Sequence, residues 1–449
     1  MTIISPANEM AISILGNAKK GTAYRMLHFT VETPVAEGML LFNYLTKELL
    51  LLSQEEYENR LESAYLKKRW FVVPEETGDR ALADTVRQTA KKQTKKPNYI
   101  NAYTIFATTD CNARCFYCFE KGWNRVHMTE ETALKAVQYI KNHCGGQRVS
   151  LSWFGGEPLY NMGVIDIICD GLRKEGIEFV SAIATNGYLF DKETVEKAVK
   201  SWNLVRAQIP MDGTEEVYNK IKAYIYKDGK NPYQTVMTAM GYLLDAGVEV
   251  FVRLNMDLYN YPDLMKLVDE LASRYSGKQR LYIYVNHLYK NGVPSADLYT
   301  PEEWQQREDA MASLYEKIEG YDMVKKRGIF KHIKLCHCMA DNDRTVTIGP
   351  KGDLGRCEQC DENEFVGHLD REGFDQEKLQ SWKETIEPIP ACDTCFFYPD
   401  CMELKKCSTA SICYPQARTN KLRQTRHRML YEYQCRQKTE NVSRKGKDE

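Results

Sequence analysis

The chain reads as an α/β protein organised on a parallel sheet, and three observations predict it. Between Tyr99 and about His287, six apolar runs alternate with amphipathic helical segments, a pattern that puts helices outside a parallel sheet. The first run is closely followed by Cys111-Asn-Ala-Arg-Cys115-Phe-Tyr-Cys118, three thiols in eight residues. Ten more of the 15 cysteines fall between Cys336 and Cys435, so the last third has a chemistry of its own. At 449 residues the chain exceeds one ordinary core, and two or three domains are expected.

Composition narrows the class. Hydrophobic residues make up 43% of the chain and the formal net charge is −1, which suits a globular protein and gives no case for nucleic-acid binding. The apolar runs fall short of the ~20 residues of a membrane span. Met1-Thr-Ile-Ile-Ser-Pro lacks the basic-then-apolar pattern of a secretory signal, so a cytoplasmic protein without membrane partners is expected. In that reducing compartment, 15 cysteines argue for metal or redox chemistry rather than disulfides.

Taken in order, residues 1–86 contain no cysteine and form a small α+β module. Arg25–Val31 and Gly38–Leu45 read as strands, with Pro34 and Gly38 as turn punctuation. Ser53-Gln-Glu-Glu opens a helix with Ser53 as N-cap, and Trp70–Pro74 is another strand-like piece. Residues 87–98, polar, basic and containing Pro97, read as a linker. Residues 99–320 hold the six strands, Tyr103–Ala107, Val149–Phe154, Phe179–Ala184, Val205–Pro210, Val248–Asn255 and Leu281–His287. The first intervening helix starts at Thr129, with Leu134, Val137 and Ile140 on one stripe. Others fit Gly163–Lys174, Lys192–Val199, Tyr233–Asp245 and Tyr261–Tyr275. Residues 321–435 form the cysteine-rich unit, with Cys435 on a terminal helix, and the polar residues 436–449 read as a disordered tail.

Three thiols on one loop do not complete a structural zinc site, which takes four ligands. Iron–sulfur cubanes are held by thiolates, normally four, so three would leave one iron open to a small molecule. Inert structural cysteines are the competing reading. The CxxxCxxC spacing resembles the radical SAM superfamily, and the chain is similar to its SPASM-containing, peptide-modifying branch. The resemblance implies a partial (β/α)6 barrel whose Cys111, Cys115 and Cys118 hold a [4Fe-4S] cluster with S-adenosylmethionine on the open iron. Phe116 and Tyr117 fill the positions before the last cysteine, where a flat ring can stack on the adenine, and Tyr117 is the expected cofactor contact. Sites in such barrels gather at the C-terminal ends of strands, where the triplet sits.

Further motifs extend the resemblance. Gly155-Gly156-Glu157-Pro158 ends the second strand and matches the family's motif for the methionine amino group; glycines permit close backbone approach and the acid accepts from an ammonium. Asn186 in Thr185-Asn186-Gly187 ends the third strand, while Arg253 and Asn255 share one face of the fifth by period two. Packing inside the barrel is the alternative for each. Two departures stand out: relatives carry Ile-Ser-Leu-Asp-Gly where this chain has Ile209-Pro210-Met211-Asp212-Gly213, and Lys222 replaces a common arginine. Proline lacks the serine's hydroxyl, and lysine lacks the fork. His287 reads as packing before chemistry, and no catalytic residue is assigned beyond the cluster ligands.

In the last third, Cys338, Gly352 and Cys357 satisfy the first half of the SPASM pattern, and Cys392, Cys395 and Cys401 satisfy the second. The later cysteines, Cys407 and Cys413, are spaced more widely than in relatives. The resemblance implies two auxiliary [4Fe-4S] clusters. The first takes Cys338, Cys357 and Cys407, with Cys336 or Cys360 as a fourth ligand. The second takes Cys392, Cys395, Cys401 and Cys413, with Cys435 competing for the last place. A rival is a zinc ribbon, a non-enzymatic scaffold, built from Cys357, Cys360, Cys392 and Cys395.

Together these readings imply a radical SAM/SPASM enzyme. Its 5′-deoxyadenosyl radical would take a hydrogen from a ribosomally made precursor peptide and lead to a carbon–carbon or thioether cross-link. The N-terminal module resembles domains that bind a leader peptide as an added strand, and the implied electron donor is a flavodoxin or ferredoxin. The enzymatic alternative is an anaerobic sulfatase-maturating, formylglycine-forming enzyme. Such relatives place an aspartate after the cysteine corresponding to Cys357, where this chain has Glu358.

Overall fold

The computed structural model describes residues 1–17, 20–226, 229–288, 299–359, 364–401, 404–407, 413 and 415–445. In chain order the strands are β1 (Thr2–Ser5), β2 (Tyr24–Met26), β3 (Thr30–Val35), β4 (Gly38–Asn43), β5 (Leu49–Leu52), β6 (Val72–Pro74), β7 (Ala102–Thr108), β8 (Val149–Gly155), β9 (Phe179–Ala184), β10 (Leu204–Met211), β11 (Glu249–Met256), β12 (Leu281–His287), β13 (Thr345–Ile348), β14 (Asp353–Gly355) and β15 (Gly367–His368). The helices are α1 (Glu9–Leu15), α2 (Gln54–Glu58), α3 (Ala64–Lys68), α4 (Asp79–Gln93), α5 (Glu130–His143), α6 (Met162–Lys174), α7 (Lys192–Ser201), α8 (Glu215–Lys222), α9 (Pro232–Asp245), α10 (Tyr261–Arg274), α11 (Pro301–Gly320), α12 (Gln376–Ser381) and α13 (Pro415–Lys445).

All six expected strands form, and they pair in parallel as consecutive neighbours from β7 to β12. The alternating pleat sends Ala207, Ile209, Val250, Val252 and Leu254 into the core beneath the helices. Gln208, Pro210, Phe251, Arg253, Tyr282 and Tyr284 take the other face, the lumen. β12 does not pair with β7, so the (β/α)6 run stays an open, partial barrel. On its other side β7 continues into the cysteine-rich unit: β13 pairs parallel to it, and β14 and β15 add antiparallel strands. Nothing in the local pattern announced that shared sheet.

Helix starts follow their caps. Thr129 accepts from Thr132 N at the start of α5, and Ser53 closes a capping box with Glu56, a device worth ~1 kcal/mol. The buried stripe of α5 is Ala133, Ala136, Val137 and Ile140, whereas Leu134 is 53% exposed. The small alanines let the helix sit close to the sheet, turning the stripe away from Leu134.

Residues 1–86 form a four-stranded antiparallel sheet in the order β1-β5-β4-β3, with β2 paired to β6. The strand expected over Arg25–Val31 is two strands, β2 and β3, broken around Leu27 and His28. The stretch expected as a linker is helical to Gln93, because α4 buries Ala83, Val86 and Ala90. The expected tail continues α13 as far as Lys445. Residues 446–449 lie outside the described residues. No helix among the described residues is long and apolar enough to cross a membrane.

Candidate functional site

The C-terminal ends of β7 to β11 bring together most of the residues singled out above. Chain leaving β7 runs directly into Cys111, and two glycines let β8 lie against it. A Cβ on Gly155 would sit 2.0 Å from Thr108 O, and one on Gly156 2.3 Å from Asp110 O. Gly156 N donates to Thr108 O at 3.1 Å and Glu157 N to Asp110 O at 2.8 Å. The glycines therefore serve a close approach of chain to chain at the root of the cysteine loop.

Glu157 is fully buried. Oε1 accepts from Leu159 N and Thr185 Oγ1 at 3.1 and 2.7 Å, and Oε2 accepts from Asn186 N at 2.7 Å. Burial pushes its carboxyl up to about 7 against those three bonds. An acid expected to meet an ammonium is thus engaged in tying β8 to the turn after β9. Asn186 extends that tie, its Nδ2 donating to Asn112 Oδ1 at 2.6 Å and reaching Cys111 Sγ at 3.8 Å. Pro158, buried, starts a short 3-10 turn behind the loop.

The three thiols sense one another. Burial first, then Glu157 and the other two cysteines, push Cys111 up to about 12, and burial pushes Cys118 up to about 11. Such thiols need a bound cation to ionise, as metal ligands do. Ala113 N also donates to Cys111 Sγ at 3.4 Å, the kind of bond that tunes cluster thiolates. Among the described residues no three His, Cys, Asp or Glu side chains close on a single ion. A cubane asks for a wider set, since each thiolate holds a different iron, and the donor chemistry here fits one.

Beneath the loop lies a polar knot that sequence reasoning missed. Lys222 pairs with Asp212 at 2.9 Å, with side chains 2% and 0% exposed. Tyr117 donates its hydroxyl to Asp212 at 2.9 Å and accepts from Lys222 Nζ at 2.9 Å and Asn255 Nδ2 at 3.0 Å. Burial opposes the charge on Lys222, yet Asp212 and its other neighbours hold the ammonium well above the usual lysine range. Tyr117, expected to stack on adenine, is anchored through its hydroxyl to this knot. Pro210 pairs in register with Arg253 on the lumen face. Arg253 Nε, Asn112 Nδ2 and Asn255 Oδ1 are buried without a hydrogen-bond partner, which leaves polar atoms for a polar ligand. His287 faces the helices instead, bonded to buried Glu308 at 3.0 Å, in keeping with packing.

The later cysteines fall into two neighbourhoods. Cys338 lies within electrostatic reach of Cys407 and Glu358, and Cys357 and Cys407 pack on one small core with Ala340, Val366, Trp382 and Leu404. Backbone N–H groups two residues on reach Cys338 Sγ and Cys357 Sγ at 3.3 and 3.4 Å, repeating the Cys111 geometry. Cys395 neighbours Cys392 and Cys413, and Arg418 Nη2 donates to Cys413 Sγ at 3.7 Å. Cys401 follows a 3-10 turn, Tyr398–Asp400, in the same loop as Cys392 and Cys395. Cys336 has Asp341 and Lys334 as neighbours, and Cys435 engages Tyr431 on α13. Cys360 lies outside the described residues. The zinc-ribbon pairing is disfavoured, because Cys357 packs on one core and Cys392 and Cys395 on another.

Comparisons with known proteins agree with this geometry. Residues 105–271 match the sequence model of the Radical SAM superfamily. The chain is 26% identical over 178 residues to the probable GTP 3',8-cyclase of Methanocaldococcus jannaschii, covering 39% of this chain and 57% of that protein. It is 36% identical over 128 residues to the GTP 3',8-cyclase of Limosilactobacillus fermentum, covering 27% and 37%. These matches span about half or less of the relatives' length. Among solved structures, native anSMEcpe with bound AdoMet and Cp18Cys peptide is similar at a TM-score of 0.54 and 15% identity, over 72% of this chain and 96% of that one. Streptococcus suis SuiB bound to precursor peptide SuiA is similar at a TM-score of 0.51 and 12% identity, over 85% and 95%. Those likenesses establish the fold. With the cysteine loop and the ends of β8 to β11 inside the matched segment, residues 105–271 carry a radical SAM domain.

Proposed function

We propose that this radical SAM enzyme matures a ribosomally made peptide, and that its cysteine-rich unit holds two auxiliary [4Fe-4S] clusters. Cys111, Cys115 and Cys118 would hold the radical cluster, which with bound S-adenosylmethionine would supply a 5′-deoxyadenosyl radical to remove a hydrogen atom from substrate. Around that centre the chain contributes rigidity: the Glu157 and Asp212 knots fix the loop, and Gly155, Gly156, Asn186, Arg253 and Asn255 line the space for the cofactor. Cys338, Cys357 and Cys407 would hold one auxiliary cluster, and Cys392, Cys395, Cys401 and Cys413 the other.

One observation carries the reading. A cavity of about 300 Å³ is walled on one side by Gly122, Trp123 and Val126, just beyond Cys118, and on the other by Cys357 and Glu358. A substrate side chain seated there touches Cys357 of the cysteine-rich unit and the chain that follows the radical-cluster loop. Its apolar walls, with a few polar groups, suit an amino-acid side chain. Phe116 and Tyr259, 57% and 56% exposed, form an aromatic pair at the cysteine loop with centroids 6.4 Å apart. A second cavity of about 730 Å³ continues the lumen between Gln208, Phe251, Tyr282, Tyr284 and α13, leaving room for more of a chain. That anSMEcpe and SuiB were solved with peptides supports a peptide here.

The test is anaerobic co-expression with each short open reading frame found beside the gene, followed by mass spectrometry and 5′-deoxyadenosine assay. Loss of two hydrogen atoms from the peptide, in step with 5′-deoxyadenosine, is the expected result. An unchanged peptide would overturn the reading. A new aldehyde on a sulfatase-derived peptide would favour the formylglycine alternative, whose carboxylate would here be Glu358. Consumption of GTP would favour the activity named for the curated relatives.

A further inference from the structure

The N-terminal module and the loop Cys392–Cys401 share one core. Phe29 stacks on Tyr398 with centroids 6.3 Å apart, and Tyr44 meets Phe396 and Phe397 at 5.8 and 5.5 Å. Cys392 and Cys395 pack against the same cluster, which contains Leu45, Trp70 and Val86. Apolar contact alone is non-directional and would tolerate a sliding loop.

Directional contacts remove that freedom. Lys47, in the turn after β4, buries its ammonium on Asp400 at 2.5 Å, with side chains 2% and 8% exposed. From α4, Arg87 Nη2 donates to the carbonyls of Tyr398, Pro399 and Cys401 at 2.8, 3.1 and 3.3 Å. On the same helix Asp84 accepts from Tyr398 Oη at 2.9 Å, and Arg80 pairs with Asp393 at 3.0 Å. Lys334 adds a bond to Asp400 O at 3.1 Å.

The loop needs such support. Its own regular structure is two single 3-10 turns, Pro390–Cys392 and Tyr398–Asp400, too short to set a thiol constellation. Burying a lysine–aspartate pair carries a large desolvation cost, so its best-attested use is to fix a register. Here the fixed register is that of the backbone between Cys395 and Cys401. Arg418 beside Cys413 supplies positive charge to the same thiols, which suits a thiolate-held cluster.

We propose that Lys47 of the N-terminal module and Arg87, on helix α4 just beyond residue 86, are positioning residues for the auxiliary cluster of Cys392, Cys395, Cys401 and Cys413. The module thus completes a metal site to which it contributes no ligand. The inference rests on the auxiliary-cluster reading above.

The experiment is anaerobic reconstitution of full-length protein, with iron and sulfide counted per chain and reduced clusters read by electron paramagnetic resonance. Wild type is expected near 12 irons, from ~4 for each cubane. Arg87→Ala and the double variant Lys47→Met/Asp400→Leu are each expected to lose up to ~4 irons and one auxiliary signal. The S-adenosylmethionine-dependent signal of the radical cluster should stay, which a general loss of structure would not allow. Arg87→Lys keeps the charge without the fork and should recover part of the iron, and it carries the same test if Arg87→Ala does not fold. Full iron and unchanged spectra in soluble Arg87 variants would overturn the positioning role while leaving the clusters. A wild type with only ~4 irons would reject the auxiliary clusters themselves, and this inference with them.

Discussion

Lys222 shows how far single residues could be read. Its charge was visible in the sequence, but its partner Asp212 lies across the end of β10 and helix α8, and only folding brings them to 2.9 Å. Breaking a buried pair by removing one partner typically costs ~3–5 kcal/mol, while replacing both is far milder. Lys222→Met is therefore expected to lower stability by that ~3–5 kcal/mol, and Lys222→Met/Asp212→Leu by clearly less, in urea denaturation. Equal losses in single and double variants would show that the two do not act as a pair. The cysteine loop gives a second prediction. Cys115→Ala should abolish 5′-deoxyadenosine formation while the irons of the last third remain, because the three thiols lie on one loop. Undiminished 5′-deoxyadenosine from the variant would remove the radical site from this loop. CxxxCxxC was legible because the chemistry demands that spacing locally. The engagement of Glu157 with Thr185 and Asn186 was not, because it depends on how two strand ends meet.

At the scale of elements, apolar runs identified all six barrel strands to within one residue at either end, since the face of a parallel strand covered by helices must be apolar. Helix α11 was missed, although Thr300-Pro301-Glu302-Glu303 carries a capping box with proline at the first turn, a signal present in the sequence. Missing β13 was of another kind: it joins the barrel sheet beside β7 from more than two hundred residues away, and pairing over such a distance leaves no local mark. Helix α13 behaves as a strut. Asn420 bonds Glu308 on α11, Arg423 pairs with Glu319, and Met429 lies fully buried in the N-terminal core. Met429→Asp puts an unpaired carboxylate into that core, which costs several kcal/mol or forces protonation. A thermal midpoint lowered by several degrees is expected, recovering partly at acid pH as the carboxyl is neutralised. An unchanged midpoint at neutral pH would mean that α13 does not bear on the core.

At the scale of the whole molecule, the cysteine-free stretch 1–86 and the basic linker after it suggested a separate module. The structure argues that residues 1–86 leave a wound. They supply Phe29, Tyr44, Leu45 and Trp70 to the core that also holds Tyr398, Met429 and Tyr433, and they carry Lys47 to Asp400. Each large side chain withdrawn from such a core costs ~2–5 kcal/mol, against a total stability of only ~5–15 kcal/mol for a domain. The barrel has its own core, spanning β7 to β12 and their helices, and the radical cysteines depend on that one. A protein lacking residues 1–86 is therefore expected to keep the radical cluster and uncoupled cleavage of S-adenosylmethionine. It should lose iron from the cysteine-rich unit and expose apolar surface around Phe396 and Phe397. Iron analysis, dye binding to exposed apolar surface and 5′-deoxyadenosine assay on the same preparation separate these outcomes. A truncated protein with the full iron count and no added dye binding would show that the shared core is dispensable, and the module would then be free to act as an independent recognition unit.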